Sequence, residues 1–242
     1  MQIDRIGPTE RPQGDNAGTQ RWRDLLFLHW EVAPASLQAL LPAELELDCF
    51  EGKAYVGLVP FAMQDVRPSW LPARLALTFL ETNVRIYVHH KGRPGVYFFS
   101  LEAASWLAVR AARAGWSLPY YHATMRLERV SEKTIRYASA RRSAQAPGLQ
   151  LEYQLGEYLS KPKPGSLEFF LLERYLLFSK HRGRLQCGQV HHSPYPAQHA
   201  TLLALEETLV AAAGIERPEG PPPLVHYASG VDVEVFALRD VD

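Results

Sequence analysis

The chain has 242 residues, 47% hydrophobic and 21% charged, a balance that excludes disordered, collagenous and fibrous classes and permits a sizeable core. Lys+Arg 26 against Asp+Glu 26 give a formal net charge of +0, so no global field draws the chain onto nucleic acid or an anionic bilayer. The two cysteines, Cys49 and Cys187, are too few for a disulfide scaffold, and a reducing cytoplasm is the expected location.

Residues 1–20 read as a flexible leader, polar and rich in Gly and Pro, without the basic start and apolar core of a secretory signal. Residues 21–242 read as one domain. Trp22 to Val32 alternates, with Leu26, Leu28, Trp30 and Val32 on one face, and predicts a strand. Pro34 then suits the first turn of a short helix with a Leu37, Leu40, Leu41 stripe, which Pro42 stops. Lys53 to Met63 is apolar and rich in β-branched and aromatic residues, a second strand.

Phe79 to Val88 is the most informative segment. Period two sends Leu80, Thr82, Val84, Ile86 and Val88 one way and Glu81, Asn83, Arg85 and Tyr87 the other. A turn around Gly92 and Pro94-Gly95 leads into Val96 to Leu101, a hairpin pattern. Glu102 to Ala114, with Trp106, Val109 and Arg110 at helical spacing, reads as a helix ended by Gly115.

Ala123 to Val130, Thr134 to Arg142 and Leu149 to Leu155 have the spacing of an antiparallel meander. After a Pro-rich break, Ser166 is placed to cap a helix over Leu167 to Phe178. Leu185 to Val190 predicts a strand, Pro196 to Ala213 a helix or paired short helices, and Gly230 to Leu238 a last strand. Many strands, few helices and no regular βαβ alternation predict an α+β protein built mainly on an antiparallel, barrel-like sheet. The longest apolar stretches, Phe169 to Phe178 and Leu202 to Ala213, carry internal charges and fall short of a spanning helix.

Nucleotide-binding glycine loops, the nucleophile elbow and H-E-x-x-H are absent from the sequence. Attention therefore passes to polar residues whose strand phase carries them together. Glu81, Asn83 and Arg85 lie opposite an apolar face, so they look either into solvent or into a lumen. In a lumen, Arg85 would fork onto a carboxylate and Glu81 would exchange protons. Cys187, His191, His192 and His199 surround Ser193-Pro194-Tyr195-Pro196, but their spacing matches no zinc signature. No metal and no cofactor are expected, and His191 and His192 remain candidates for ligand contact. Glu173-Arg174-Tyr175 reads as a structural network.

Leu37-Gln38-Ala39-Leu40-Leu41-Pro42, Phe79-Leu80-Glu81-Thr82-Asn83-Val84-Arg85, Gly95 to Leu101, Leu118-Pro119-Tyr120-Tyr121 and Val190-His191-His192-Ser193-Pro194-Tyr195 together resemble a YqjF-like bacterial family, from about Trp22 to the C-terminus. Trp22 to Ala123 also resembles, remotely, the front half of acetoacetate decarboxylases. That resemblance implies a closed β-barrel or cone with flanking helices and an interior cavity. It matches Glu81 to a pocket glutamate, Arg113 to an arginine of the helix after the hairpin, and Pro119 to the proline before two lysines. Tyr120 and Tyr121 stand where those lysines would be, and a phenol forms no imine with a ketone.

The expectation is a pocket for a small oxygenated or carboxylate-bearing molecule. Its candidate catalytic groups are Glu81, Tyr120 and Tyr121, and its candidate binding groups are Asn83, Arg85, Arg113, His191 and His192. Three roles fit: a ligand binder, a lyase or isomerase working without a Schiff base, or an interaction protein with a filled barrel. The partner expected is a small molecule, with no nucleic acid and no membrane. A homo-oligomer is compatible with all three.

Overall fold

The computed structural model describes residues 2–107, 109–110, 118–142, 146–181 and 183–241. Thirteen strands form one sheet. They are β1 (Gly18–Val32), β2 (Glu46–Leu47), β3 (Ala54–Pro68), β4 (Leu77–His90), β5 (Arg93–Ala103), β6 (Tyr120–Arg129), β7 (Thr134–Arg141), β8 (Gly148–Tyr158), β9 (Leu176–His181), β10 (Arg184–His191), β11 (Ala197–Glu207), β12 (Leu224–Val235) and β13 (Arg239–Asp240). Short helices include α1 (Pro34–Gln38), α2 (Leu167–Leu172) and α3 (Leu209–Ala212).

The pairings close on themselves twice. Strand β5 pairs with β4, so β5-β6-β7-β8-β11-β12-β1-β3-β4 forms a ring. A second ring, β9-β10-β12-β1-β3-β4-β5, closes through the β10–β12 pair. The five consecutive strands β5, β4, β3, β1 and β12 belong to both, and this shared wall is covered on its two faces. One apolar cluster takes Leu25, Phe27, Val59, Phe61 and Phe79; the other takes Leu26, Leu28, Leu58, Val84 and Ile86. Neighbours in sequence fall into different clusters because successive strand side chains point to opposite faces. Most pairs are antiparallel, but β5 runs parallel to both β6 and β9.

Local chemistry sets the corners. The β4–β5 hairpin turns at Lys91 and Gly92, both at positive φ (50° and 79°), as a two-residue type I′ turn requires. Pro94 and Gly95 lie inside β5, where a Cβ on Gly95 would sit 2.6 Å from the Leu176 carbonyl oxygen of β9. That glycine permits close approach of the neighbouring strand and does not make the turn. Ser166 caps α2 as expected, accepting from the Phe169 N–H at 3.2 Å. The helix ends at Leu172, however, and β9 begins at Leu176.

Two helical expectations are corrected. Glu102 and Ala103 finish β5, paired with residues of β4 and β6; helical residues begin at Trp106. Pro196 to Ala213 is mostly strand β11, followed by α3. A register shift between Leu202 and Ala204 lets Leu202 and Leu205 pack against the same cluster. A β-bulge thus produces an i, i+3 apolar spacing in extended chain, which imitates a helix in sequence.

The N-terminal residues run along the body. Asp4 donates its N–H to the Gly92 carbonyl at 2.9 Å, Arg11 pairs with Glu234 at 2.7 Å, and Arg5 pairs with the buried Asp48. Among the described residues no helix is long and apolar enough to cross a membrane.

Candidate functional site

The cavity-facing row of the shared wall is where the sequence placed its strongest signal. Leu77, Phe79, Glu81, Asn83 and Arg85 of β4 all line a cavity of about 410 Å³. Glu81, Asn83 and Arg85 are 3%, 5% and 8% exposed, so the polar face of this strand looks inward. Tyr120 of β6 joins them, because the register sets Tyr120 beside Leu101 of β5, and Leu101 beside Asn83.

Tyr120 donates to Glu81 Oε2 at 2.7 Å. Burial raises the Glu81 carboxyl to about 7, and nearby Glu102 adds to the rise against the opposing hydrogen bonds from Tyr120 and Asn83. Burial, together with the Glu81 charge, pushes the Tyr120 phenol well above its ordinary value. The pair is therefore a carboxyl that exchanges its proton near neutrality beside a phenol that keeps its own. That is a combination suited to moving a proton and polarising an oxygen.

Arg85 stands in a different condition. Its Nη2 donates to the Leu171 carbonyl at 3.3 Å and to the Tyr87 hydroxyl at 3.4 Å, and its Nε is buried without a partner. No carboxylate among the described residues lies within ion-pair distance of it. The rings of Phe27 and Tyr87, at 5.5 and 5.7 Å, offer partial compensation. Tyr87 is itself fixed, donating to the Leu171 carbonyl at 2.8 Å and accepting from His29 Nε2 at 2.7 Å. Burial and the Arg85 charge hold His29 well below its ordinary range, so a neutral imidazole backs the guanidinium.

Among the described residues, two other interior arginines have carboxylate partners. Arg141 directs Nε and Nη2 to Glu102 Oε1 at 2.9 and 2.7 Å, and Arg174 meets Asp48 at 2.7 Å. A buried charge without such a partner is costly. Asn83 Oδ1, Arg67 Nε and Arg174 Nη2 are further buried polar atoms of cavity-lining residues without a partner.

The remaining candidates are dispersed. Tyr121 points away from the cavity, 38% exposed beneath the Arg141 guanidinium, 3.8 Å above its ring; adjacent strand residues cannot both face inward. His191 is half-buried on β10 opposite Glu234 and does not line the cavity. His192 lies behind the wall, stacked on Tyr175 with centroids 4.6 Å apart and bonded through Nδ1 to the Ser193 carbonyl at 2.7 Å. Burial lowers it to about 4, so it is a neutral packing group. Arg113 lies outside the described residues. Among the described residues no three His, Cys, Asp or Glu side chains are grouped to hold a metal ion.

The lining residues not anticipated as site residues include Arg174, Tyr175, Tyr195 and Arg67. The first two belong to the triplet read as structural, and that network exists. Tyr175 donates to Glu173 Oε2 at 2.6 Å, while Glu173 Oε1 accepts from the Tyr195 N–H at 3.0 Å. The same residues serve as scaffold and as wall.

Comparison with known proteins agrees with this architecture. YqjF of Bacillus subtilis (strain 168) is 38% identical over 229 residues, 94% of each chain. Among solved structures, the enduracididine biosynthesis enzyme MppR complexed with pyruvate superposes with a TM-score of 0.67 at 13% identity, over 96% of this chain and 93% of that one. Acetoacetate decarboxylase from Legionella pneumophila gives 0.65 at 17% identity, covering 96% and 92%. These identities speak to the fold alone: it is acetoacetate decarboxylase-like. With residues 19–232 matching the DUF2071 family, described as an uncharacterized conserved protein, this chain is a member of that family.

Proposed function

We propose that the cavity binds a small oxygenated, carboxylate-bearing organic molecule without forming an imine. The observation that carries the reading is the unpaired Arg85 on the same strand face as the Glu81–Tyr120 pair, inside one cavity. A bound carboxylate would supply the counter-charge that this guanidinium lacks. Asn83 Oδ1, buried without a donor, suits a ligand hydroxyl. The pyruvate bound by MppR supports a keto or hydroxy acid as the starting class. Among the described residues the wall includes arginines and no lysine, which favours non-covalent handling of the ligand.

A second reading is favoured by the Glu81 carboxyl near 7: proton transfer on that ligand, with Glu81 as acid or base and Tyr120 as donor to a developing oxyanion. A thermal-shift screen of small keto and hydroxy acids tests binding, with Arg85→Met and Glu81→Gln as controls. Stabilisation that Arg85→Met removes is the expected result; hits indifferent to both substitutions would place the ligand elsewhere. Borohydride reduction in the presence of a keto acid is expected to leave every lysine unlabelled, and a lysine adduct would overturn the non-covalent reading. Chemical change of a stabilising compound over time would separate turnover from binding.

A further inference from the structure

The cavity is larger and more apolar than its polar row needs. Leu77 to Arg85 spans eight residues of β4, roughly 27 Å of strand at about 3.4 Å per residue, and both ends line the same space. At one end stand Arg85 and Tyr195, both buried. Beyond them Tyr87 and Leu171 close the space, each 1% exposed or less. Toward the other end the apolar wall is Trp22, Met63, Val66, Leu71, Leu77 and Phe79, with Thr19, Gln20 and Arg67 beside it, and it contains the half-buried Leu71 and Leu77. Trp70 and Leu75 of the same loop region are 80% and 54% exposed. A three-carbon keto acid has six non-hydrogen atoms. Even at the roughly 30 Å³ that a water occupies in the liquid, these would fill under half of the 410 Å³. The rest would remain an apolar chamber, and apolar surface left against water is unfavourable.

We infer that the ligand is an amphipathic carboxylic acid, its carboxylate at Arg85 and a hydrocarbon or aryl tail lying along Phe79, Met63 and Leu77 toward the mouth. The inference rests on the reading of the cavity as an acid-binding site and adds the second half of the molecule. Polarity along β4 encodes it: cation, amide and carboxyl in the depth, then only apolar side chains outward. Each methylene taken from water into this chamber strengthens binding about fourfold, until the tail reaches the mouth and further carbons gain little.

Calorimetric titration of the full chain with straight-chain carboxylates from acetate to dodecanoate, and with the matching primary alcohols, tests this. The expected result is affinity rising severalfold per methylene and then levelling. Alcohols should trail the acids at every length, and Arg85→Met should lower all acids by a similar factor. Leu77→Trp and, independently, Met63→Trp should cost the long acids at least tenfold while sparing the short ones, with circular dichroism confirming that both fold. Affinity independent of chain length, with short acids bound in an Arg85-dependent way, would overturn the inference and leave the acid site standing. Failure of every acid, short or long, would overturn both.

Discussion

The two faces of β4 make opposite use of the same strand. On one, Val84, Ile86 and Val88 are fully buried in an apolar cluster. Thr82, the polar residue beside them in that row, is bonded to the Tyr137 hydroxyl at 3.0 Å. On the other, Glu81, Asn83 and Arg85 are nearly as buried but border empty space. Burial is therefore not what separates the faces; satisfaction is. Where Arg174 has Asp48 and Arg141 has Glu102, Arg85 has only a carbonyl, a hydroxyl and two rings. Under the proposed function, the arginine left without a carboxylate is the one that would meet the ligand's anionic group.

Substitutions on the two faces should behave oppositely. Ile86→Ala removes buried methylenes from the packed side and should lower unfolding free energy by about 3 kcal/mol, read as a shifted denaturant midpoint, with acid binding unchanged once folding is ensured. Arg85→Met exchanges an unpaired buried cation for an apolar side chain of similar length, and should leave stability unchanged or raise it by about 1–2 kcal/mol while weakening the binding of every acid. A strongly destabilised Arg85→Met would mean that the guanidinium is a structural brace, and the contrast between the faces would fail.

The cavity-facing row should also show a pH dependence. Glu81 is raised from 4.5 to about 7 in the folded protein, so between these values the native state holds a proton that the unfolded chain has released. Its contribution to stability is full below about pH 4.5 and is lost as pH rises through about 7. His29 and His226, both lowered by burial, favour the native state in the opposite direction, so the informative quantity is a difference. Glu81→Gln should gain in stability relative to wild type as pH rises from 5 to 7.5, measured as paired thermal midpoints. A constant offset across that range would remove Glu81 as a proton-exchanging group.

How much of this was legible follows from the physics of each signal. Period two on β4 is unambiguous because only an extended chain separates Glu81, Asn83 and Arg85 from Val84 and Ile86, and the structure keeps that division. The sheet-rich fold was legible for the same reason. Strand β11 was not, since its bulge at Leu202 and Ala204 gives extended chain the spacing of a helix. Tyr120 and Tyr121 were indistinguishable as residue types, and only the phase of β6, fixed by its parallel pairing to β5, turns one inward. His191 and His192 drew attention through their chemistry, whereas their rings are placed by packing and strand pairing. That the Glu81 face of the wall borders a cavity is a property of volumes across strands distant in sequence, which no local pattern carries.

The most direct test is a crystal structure of the protein saturated with a mid-chain carboxylic acid. The account predicts carboxylate oxygens within hydrogen-bonding distance of Arg85, near Asn83, with the tail running along Phe79 toward Leu77. Acid bound only on the outer surface at saturation, with Arg85 contacting nothing but Leu171, Tyr87 and water, would contradict it.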